Sequence, residues 1–161
     1  MSPASGHRSG LLIDTNLLVL FVVGAVNRKR VESFKRTRQY TAGDFELLLR
    51  EIGRWQSVHT VPHVLAEVSN LTDLEGIERL QARELLKQTI STFIEDGISS
   101  LQATEDQVYS RLGLVDAAIA SVARKHKFTV LTDDLDLYLM LQRDGVEVIN
   151  FAHLRAASYG V

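Results

Sequence analysis

The stretch Gly10-Leu-Leu-Ile-Asp14 is a short apolar run that ends in a carboxylate. Because no polar residue interrupts the run, it predicts a strand covered on both faces, as in a parallel sheet. The residues from Asn16 to Val26 are almost entirely apolar and are long enough for a helix that packs back on the sheet. Together these two elements predict that Asp14 lies at the carboxyl end of a buried strand.

Strand-like and helix-like segments alternate along the rest of the chain. Helices are predicted over residues 28–38, 41–55, 62–71, 75–96, 106–112, 113–125, 135–143 and 152–157. Strands are predicted over residues 59–61, 98–101, 128–132 and 146–151. The helix over 75–96 is predicted to end at Gly97 and to have apolar positions at Ile77, Leu80, Leu85 and Ile90. This alternation predicts a three-layer α/β/α domain around a mostly parallel sheet.

The composition is that of one globular domain. The chain has 161 residues, of which 45% are hydrophobic and 24% charged, so a single domain is expected over residues 11–161. Residues 1–10 are rich in Ser, Gly and Pro and have no hydrophobic centre, which predicts a flexible end and not a signal peptide. The longest apolar run, Leu17–Val26, is too short to cross a bilayer.

Cysteine content and charge narrow the function classes. The chain has no cysteine, which excludes disulfides, thiolate zinc sites and a cysteine nucleophile and is compatible with a cytoplasmic location. A strongly positive net charge would be the simplest sign of a nucleic-acid ligand. The formal net charge of this chain is −2, so that sign is absent. Any contact with nucleic acid must therefore be local.

Acidic residues directly follow two of the predicted strands. Asp14 ends the first strand, and Asp133 and Asp134 follow Thr132. Ligands of open α/β sheets bind outside the carboxyl ends of the strands. Acids also cap helix N-termini, so capping is the alternative for either position taken alone. Because acids follow two of the predicted strands and not only one, a ligand site at the carboxyl ends of the strands is favoured over capping.

Two further acids border predicted buried helix faces. Glu67 falls three residues after Val64, and Asp116 lies beside Val115 in the first turn of its helix. Charges are rarely placed there unless they are paired or bind metal, and the alternatives are a salt bridge for Glu67 and a helix cap for Asp116. If these acids cluster with Asp14, they would bind Mg²⁺ or Mn²⁺, because hard divalent cations prefer oxygen ligands. Hydrolysis of phosphodiesters is the reaction that such a site would support.

Four short segments together resemble the acidic motifs of PIN-domain nucleases, the superfamily of the VapC-like toxin ribonucleases. The segments are Leu11-Leu-Ile-Asp-Thr-Asn-Leu17, Val61-Pro-His-Val-Leu-Ala-Glu-Val68, Val115-Asp-Ala-Ala-Ile-Ala120 and Thr129-Val-Leu-Thr-Asp-Asp-Leu-Asp136. Each motif is short, but all four occur in the family's order and with approximately its spacing. The resemblance covers residues 11–151 and implies a PIN-like α/β/α fold.

The resemblance also implies a site and a function. The catalytic and metal-binding acids would be Asp14, Glu67, Asp116 and Asp134. The auxiliary residues would be Thr15, Asn16, Thr132 and Asp136, with Asp133 as a rival of Asp134. The implied activity is an endoribonuclease that depends on Mg²⁺ or Mn²⁺ and acts on RNA. A small antitoxin and a homodimer are the implied protein partners.

A basic segment follows the first predicted helix. Six positive charges fall between positions 28 and 38, namely Arg28, Lys29, Arg30, Lys35, Arg36 and Arg38. They would either neutralise RNA phosphates near the mouth of the site or form a solvated basic face. Tyr40 is the one aromatic residue near this segment to consider as a stacking platform for bases.

Other functions fit the sequence less well. A phosphatase of the haloacid-dehalogenase type needs a second Asp two residues after the first, and that position is Asn16. A receiver-like adaptor needs an acidic pair at the first strand and a late lysine, and neither is evident. A catalytically inactive PIN-like domain that binds RNA or protein stays open as the alternative, because fold alone does not determine function.

Overall fold

The computed structural model describes residues 10–160. Its centre is a five-stranded sheet, with all strands parallel, in the spatial order β3-β2-β1-β4-β5. The strands are β1 (Leu11–Ile13), β2 (Val58–Thr60), β3 (Ile94–Glu95), β4 (Thr129–Thr132) and β5 (Val148–Asn150). All three residues of β1 are buried, which agrees with the strand covered on both faces that its apolar sequence predicts.

Helices cover both faces of the sheet. They are α1 (Thr15–Val26), α2 (Ala42–Ile52), α3 (Pro62–Leu71), α4 (Gly76–Thr92), α5 (Ser100–Thr104), α6 (Tyr109–Leu112), α7 (Leu114–His126), α8 (Leu135–Arg143) and α9 (Phe151–Ser158). α1 packs against α2, α3 and α4, whereas α7 packs against α5 and α6 and contacts β4. The predicted three-layer α/β/α architecture is confirmed for the described residues, and the sheet is wholly parallel there.

The helix predicted over residues 28–38 is wrong. Only Arg28–Arg30 form a short 3₁₀ helix, and turns and bends follow as far as Tyr40. The Thr37 hydroxyl donates to the Val31 carbonyl oxygen at 2.8 Å, and both residues are fully buried. Such local side-chain bonds to the backbone compete with a regular helix.

The chain between α4 and α5 also differs from the prediction. α4 ends at Thr92 and not before Gly97, because Ile94–Glu95 leave the helical path to pair with β2 as a parallel edge strand. The strand predicted over residues 98–101 is wrong, since Ser99 caps α5 there. The pairing with β2 is a contact between segments that are distant in the sequence, so the local sequence pattern cannot predict it.

The face of α4 that meets the core is not the one predicted. Ala82, Leu86 and Thr89 are buried, whereas Ile77 and Leu80 are 67% and 63% exposed. The helix therefore packs through small and medium side chains. Its large apolar side chains at Ile77 and Leu80 point mainly to the surface.

Residues 1–9, predicted to be flexible, lie outside the described residues. Gly10 is the last residue of the predicted flexible end and also the first of the apolar run that predicts β1. The structure places it with the strand, because Gly10 is buried and its carbonyl oxygen accepts a hydrogen bond from the Thr129 N–H at 3.0 Å. A Cβ atom at this position would lie only 2.3 Å from the His59 ring. Among the described helices, none has the length and apolarity to cross a membrane.

Gly24 allows the close approach of α1 to α2, which predicts a large effect for a small substitution. A Cβ atom at Gly24 would lie 2.3 Å from the ring of Phe45, which is 2% exposed and has little room to move. We therefore expect Gly24→Ala to lower the free energy of unfolding by about 1–3 kcal/mol, measured by urea denaturation. Gly97→Ala is the control, because a Cβ atom there meets nothing within 4 Å. Equal losses in the two variants would contradict this account.

Candidate active site

The four acids predicted from the sequence meet in one pocket at the carboxyl edge of the sheet. β1 and β4 are neighbours, and the chain leaves them through α1 and α8, whose N-caps are Asp14 and Asp134. The pocket has a volume of about 280 Å³. Its lining residues are Asp14, Thr15, Asn16, Glu67, Leu112, Leu114, Val115, Asp116 and Asp134. Leu112, Leu114 and Val115 form an apolar wall that the sequence motifs did not indicate.

Asp14 is the most buried of these acids and is held from two sides. Its side chain is 5% exposed, and its Oδ1 atom accepts a hydrogen bond from the Asn16 N–H at 2.9 Å. The Thr132 hydroxyl donates to the Asp14 Oδ2 atom and accepts a bond from the Asp134 N–H at 3.0 Å. Thr132 thus links the carboxylate after β1 to the backbone after β4 and fixes the position of both.

Burial and neighbouring charges raise the pKa of two acids in the pocket. For Asp14, burial is the main cause, and repulsion by Asp133 and Asp116 adds to it, so its pKa rises to about 7. For Asp116, burial is again the main cause, with repulsion by Asp134 and Glu67, and its pKa rises to about 6. A cation in the pocket would relieve this repulsion.

Glu67 and Asp116 have none of the partners that a purely structural role would give them. α3 carries Glu67 and α7 carries Asp116, and both side chains are half-buried. Within residues 10–160, neither carboxylate forms a hydrogen bond or an ion pair. The N-cap of α7 is Gly113, so the alternatives of a salt bridge for Glu67 and a helix cap for Asp116 are both wrong.

Of the three acids after Thr132, the structure brings one into the pocket. Asp134 lines it while its Oδ1 atom caps α8 by accepting the Leu137 N–H at 2.9 Å. Asp133 does not line the pocket, and its Oδ2 atom accepts a hydrogen bond from the Tyr40 hydroxyl. Asp136 is exposed and lines a neighbouring groove instead.

Tyr40 is a partner of the site that the sequence motifs did not reveal. Its side chain is 1% exposed, so the prediction that it stacks on bases is wrong. Burial and the charge of Asp133 raise the pKa of Tyr40, so the phenol stays protonated. Its hydroxyl group donates a hydrogen bond to Asp133. The two residues are far apart in the sequence, and no local signal joins them.

The two auxiliary residues that follow Asp14 differ in environment. Thr15 is 7% exposed, and its buried hydroxyl oxygen has no hydrogen-bond partner among the described residues. The Asn16 side chain is exposed at the pocket, while its backbone N–H is bonded to Asp14. The Asn16 side chain is therefore available to a ligand, whereas the Thr15 hydroxyl oxygen is shielded from solvent.

Half of the basic segment is already neutralised by acids of this chain. Arg28 pairs with Glu46 at 2.6 Å, Arg30 with Glu78 at 2.8 Å and Lys35 with Asp73 at 3.1 Å. α1 has 12 residues, so its C-terminal end, where Arg28 follows, lies roughly 18 Å from Asp14. The prediction that Arg28 lies near the mouth of the site is therefore wrong. The other three cations of the segment, Lys29, Arg36 and Arg38, are exposed and form no ion pair within residues 10–160.

The donor set of the pocket fits a hard divalent cation, although no cage is preformed. Carboxylate oxygens are the ligands that Mg²⁺ and Mn²⁺ prefer. Repulsion between acids adds to the effect of burial in raising the pKa values of Asp14 and Asp116, and a bound cation would offset that repulsion. Within residues 10–160, no three His, Asp or Glu side chains are close enough together to hold one ion. Mg²⁺ often binds through one or two carboxylates and completes its shell with water and phosphate oxygens, which this arrangement allows.

Comparison with known proteins identifies the family. No curated protein sequence matches the chain. FitAcB from Neisseria gonorrhoeae is 18% identical with a TM-score of 0.57, over 89% of this chain and 99% of that chain. FitAB bound to the IR36 DNA fragment is 17% identical with a TM-score of 0.55, over 88% of this chain and 94% of that chain. These likenesses show the fold, and the family model of the PIN domain matches residues 11–140. The chain therefore belongs to the PIN-domain family.

Proposed function

We propose that this PIN domain is a metal-dependent endoribonuclease that hydrolyses RNA phosphodiester bonds, with Asp14, Glu67, Asp116 and Asp134 as its catalytic acids. One observation carries the proposal. Glu67 and Asp116 are half-buried carboxylates that face the same pocket as Asp14 and have no neutralising partner within residues 10–160. Leaving such charges unpaired destabilises a fold, so they are expected to serve a ligand.

The residues of the pocket divide the work. Asp14, Glu67, Asp116 and Asp134 would hold Mg²⁺ or Mn²⁺, which when bound lowers the pKa of water and stabilises the charge of the phosphate in the transition state. Thr132 keeps Asp14 oriented, and the N–H groups of Asn16 and Leu137 fix the caps Asp14 and Asp134. Asn16 and Thr15 would orient the substrate phosphate or the attacking water, the role that the family resemblance implies for them.

The experiment is cleavage of a fluorescent single-stranded RNA by the purified chain with Mn²⁺, with Mg²⁺ and with EDTA. A single-stranded DNA of the same sequence is the second substrate. We expect internal cuts in the RNA that require the metal and are absent with EDTA. Cleavage that survives EDTA would contradict the role of the metal, and cleavage of DNA alone would contradict the assignment to RNA.

The inactive PIN-like binding module is the competing function. It predicts RNA or protein binding without cleavage at any metal concentration. The presence of all four acids in one pocket supports an active enzyme over this alternative. A chain that binds RNA but never cuts it with either metal would favour the inactive module.

We also propose that the enzyme is the toxin of a toxin–antitoxin pair and acts as a homodimer in the cytoplasm. Family membership and the FitAB-like fold support this more specific role. Expression of the chain should then arrest growth, and expression of Asp116→Asn should not. Sedimentation of the purified chain measures the dimer directly.

A further inference from the structure

A groove between α6 and α8 lies beside the acidic pocket. It has a volume of about 340 Å³ and is lined by Arg111, Leu112, Asp136, Leu139, Met140 and Arg143. Leu112 lines both the groove and the acidic pocket, so the two are adjacent. α8 starts at its cap Asp134 in the pocket and ends at Arg143 in the groove, a helix of 9 residues or roughly 13 Å.

Arg111 and Arg143 are the cations of this groove. Both are exposed, and within residues 10–160 neither side chain forms an ion pair or a hydrogen bond. This distinguishes them from Arg28, Arg30 and Lys35, which are neutralised by neighbouring acids. A guanidinium presents a planar fork of donors that matches two phosphate oxygens.

The groove also offers apolar surface to the bases of a strand. Leu139 is 50% exposed and lines the groove together with the half-buried Leu112 and Met140. Apolar surface beside a row of cations suits single-stranded nucleic acid, whose bases are free to leave the stack while the backbone follows the charges. Asp136, in the first turn of α8, is the one acid in the lining, and the two arginines outweigh it.

We infer that this groove, the α6–α8 groove, holds the single-stranded RNA on one side of the phosphate that is cut, with Arg111 and Arg143 on its backbone phosphates. The inference rests on the proposed ribonuclease function and names the path of its substrate. Both arginines also lie near helix C-termini, where a cation interacts favourably with the helix dipole. That interaction stabilises the helices but does not bind RNA, so binding measurements separate the two roles.

The test is the affinity of the full chain for a fluorescent single-stranded RNA, measured by anisotropy in EDTA over a range of salt concentrations. We expect Arg111→Gln/Arg143→Gln to lose roughly tenfold in affinity, since two phosphate contacts disappear. The slope of log K against log salt should fall in magnitude by about 1.4, because each contact with a single strand accounts for about 0.7. In the cleavage assay with Mn²⁺, KM should rise while kcat changes little, because neither arginine contacts the acids' pocket.

The matched control is Arg50→Gln/Arg83→Gln, which removes the same charge from α2 and α4 in the other helical layer. Both arginines are exposed and form no ion pair within the described part of the chain. The inference is supported if this control keeps the affinity and salt slope of the original protein. It is overturned if the two double variants behave alike, or if the groove variant loses only the affinity for a partner protein. In either case, RNA cleavage by the unaltered chain would leave the ribonuclease proposal supported. If the unaltered chain does not cleave RNA, both the ribonuclease proposal and the inference about the groove are contradicted.

Discussion

Replacing Asp116 by Asn should abolish metal-dependent cleavage of RNA without weakening the fold. The carboxylate forms no hydrogen bond or ion pair within residues 10–160, so packing loses nothing when its charge is removed. Residues that only orient metal ligands typically contribute 10–100-fold to activity or affinity, so a ligand itself should contribute more than about 100-fold. The measurement is the initial rate of RNA cleavage with saturating Mn²⁺, beside a thermal melt of each protein.

Asp73→Asn is the matched control for this prediction. Asp73 is an exposed acid whose only described partner is Lys35, on the surface away from the pocket. We expect this variant to cut RNA at the original rate, with a melting temperature close to that of the original protein. Cleavage by pure Asp116→Asn at the original rate would sink the catalytic assignment of this acid.

Replacing Asp14 by Asn should stabilise the metal-free protein at neutral and alkaline pH. The pKa of this carboxyl is raised from 3.8 to about 7, chiefly by burial and then by the charge of Asp133. The folded protein therefore holds a proton that the unfolded chain releases between these values, so the free energy of unfolding falls as pH rises through this window. Asn keeps a side chain that can cap α1 but carries no charge.

The difference between the two proteins should grow with pH and then level off. Between about pH 5 and about pH 8 the advantage of Asp14→Asn should increase by on the order of 2 kcal/mol, which corresponds to several degrees of melting temperature. Melting curves in EDTA measure it, and Mn²⁺ should raise the melting temperature of the original protein more than that of the variant. A constant difference across this pH range would show that the charge of Asp14 does not destabilise the fold.

Much of the candidate site could be predicted because its acids have local signatures. Asp14 and Asp134 directly follow apolar strands and precede helices, so their place at the carboxyl edge follows from the sequence pattern and the geometry of a parallel sheet. Glu67 and Asp116 border the buried faces of their helices, which marked them as unusual. That all four line the same pocket is a property of the assembled sheet.

What the sequence could not predict depends on contacts between distant segments. The family resemblance favoured Asp134 as the fourth acid, with Asp133 as its rival and Asp136 as an auxiliary acid. The structure shows that Asp134 lines the pocket, whereas Asp133 accepts a hydrogen bond from Tyr40, which lies 93 positions earlier. The basic segment looked free in the sequence, and acids from α2, α3–α4 and α4 neutralise half of it. Whether a charged side chain is buried or forms an ion pair depends on which surfaces of the folded protein meet. A local sequence pattern does not predict this.

The sequence by itself therefore determined the alternation of strands and helices, the burial of β1 on both faces and the acids that follow β1 and β4. These properties depend on the side chains of neighbouring residues, whose periodicity decides which face is buried. Only the tertiary structure decided the edge strand Ile94–Glu95, the position of Asp134 and not Asp133 in the lining of the pocket, and the unpaired side chains of Arg111 and Arg143 in the neighbouring groove. Those features depend on which hydrogen bonds and ion pairs form between segments that are far apart in the chain. The packing of the folded protein determines which of these segments meet.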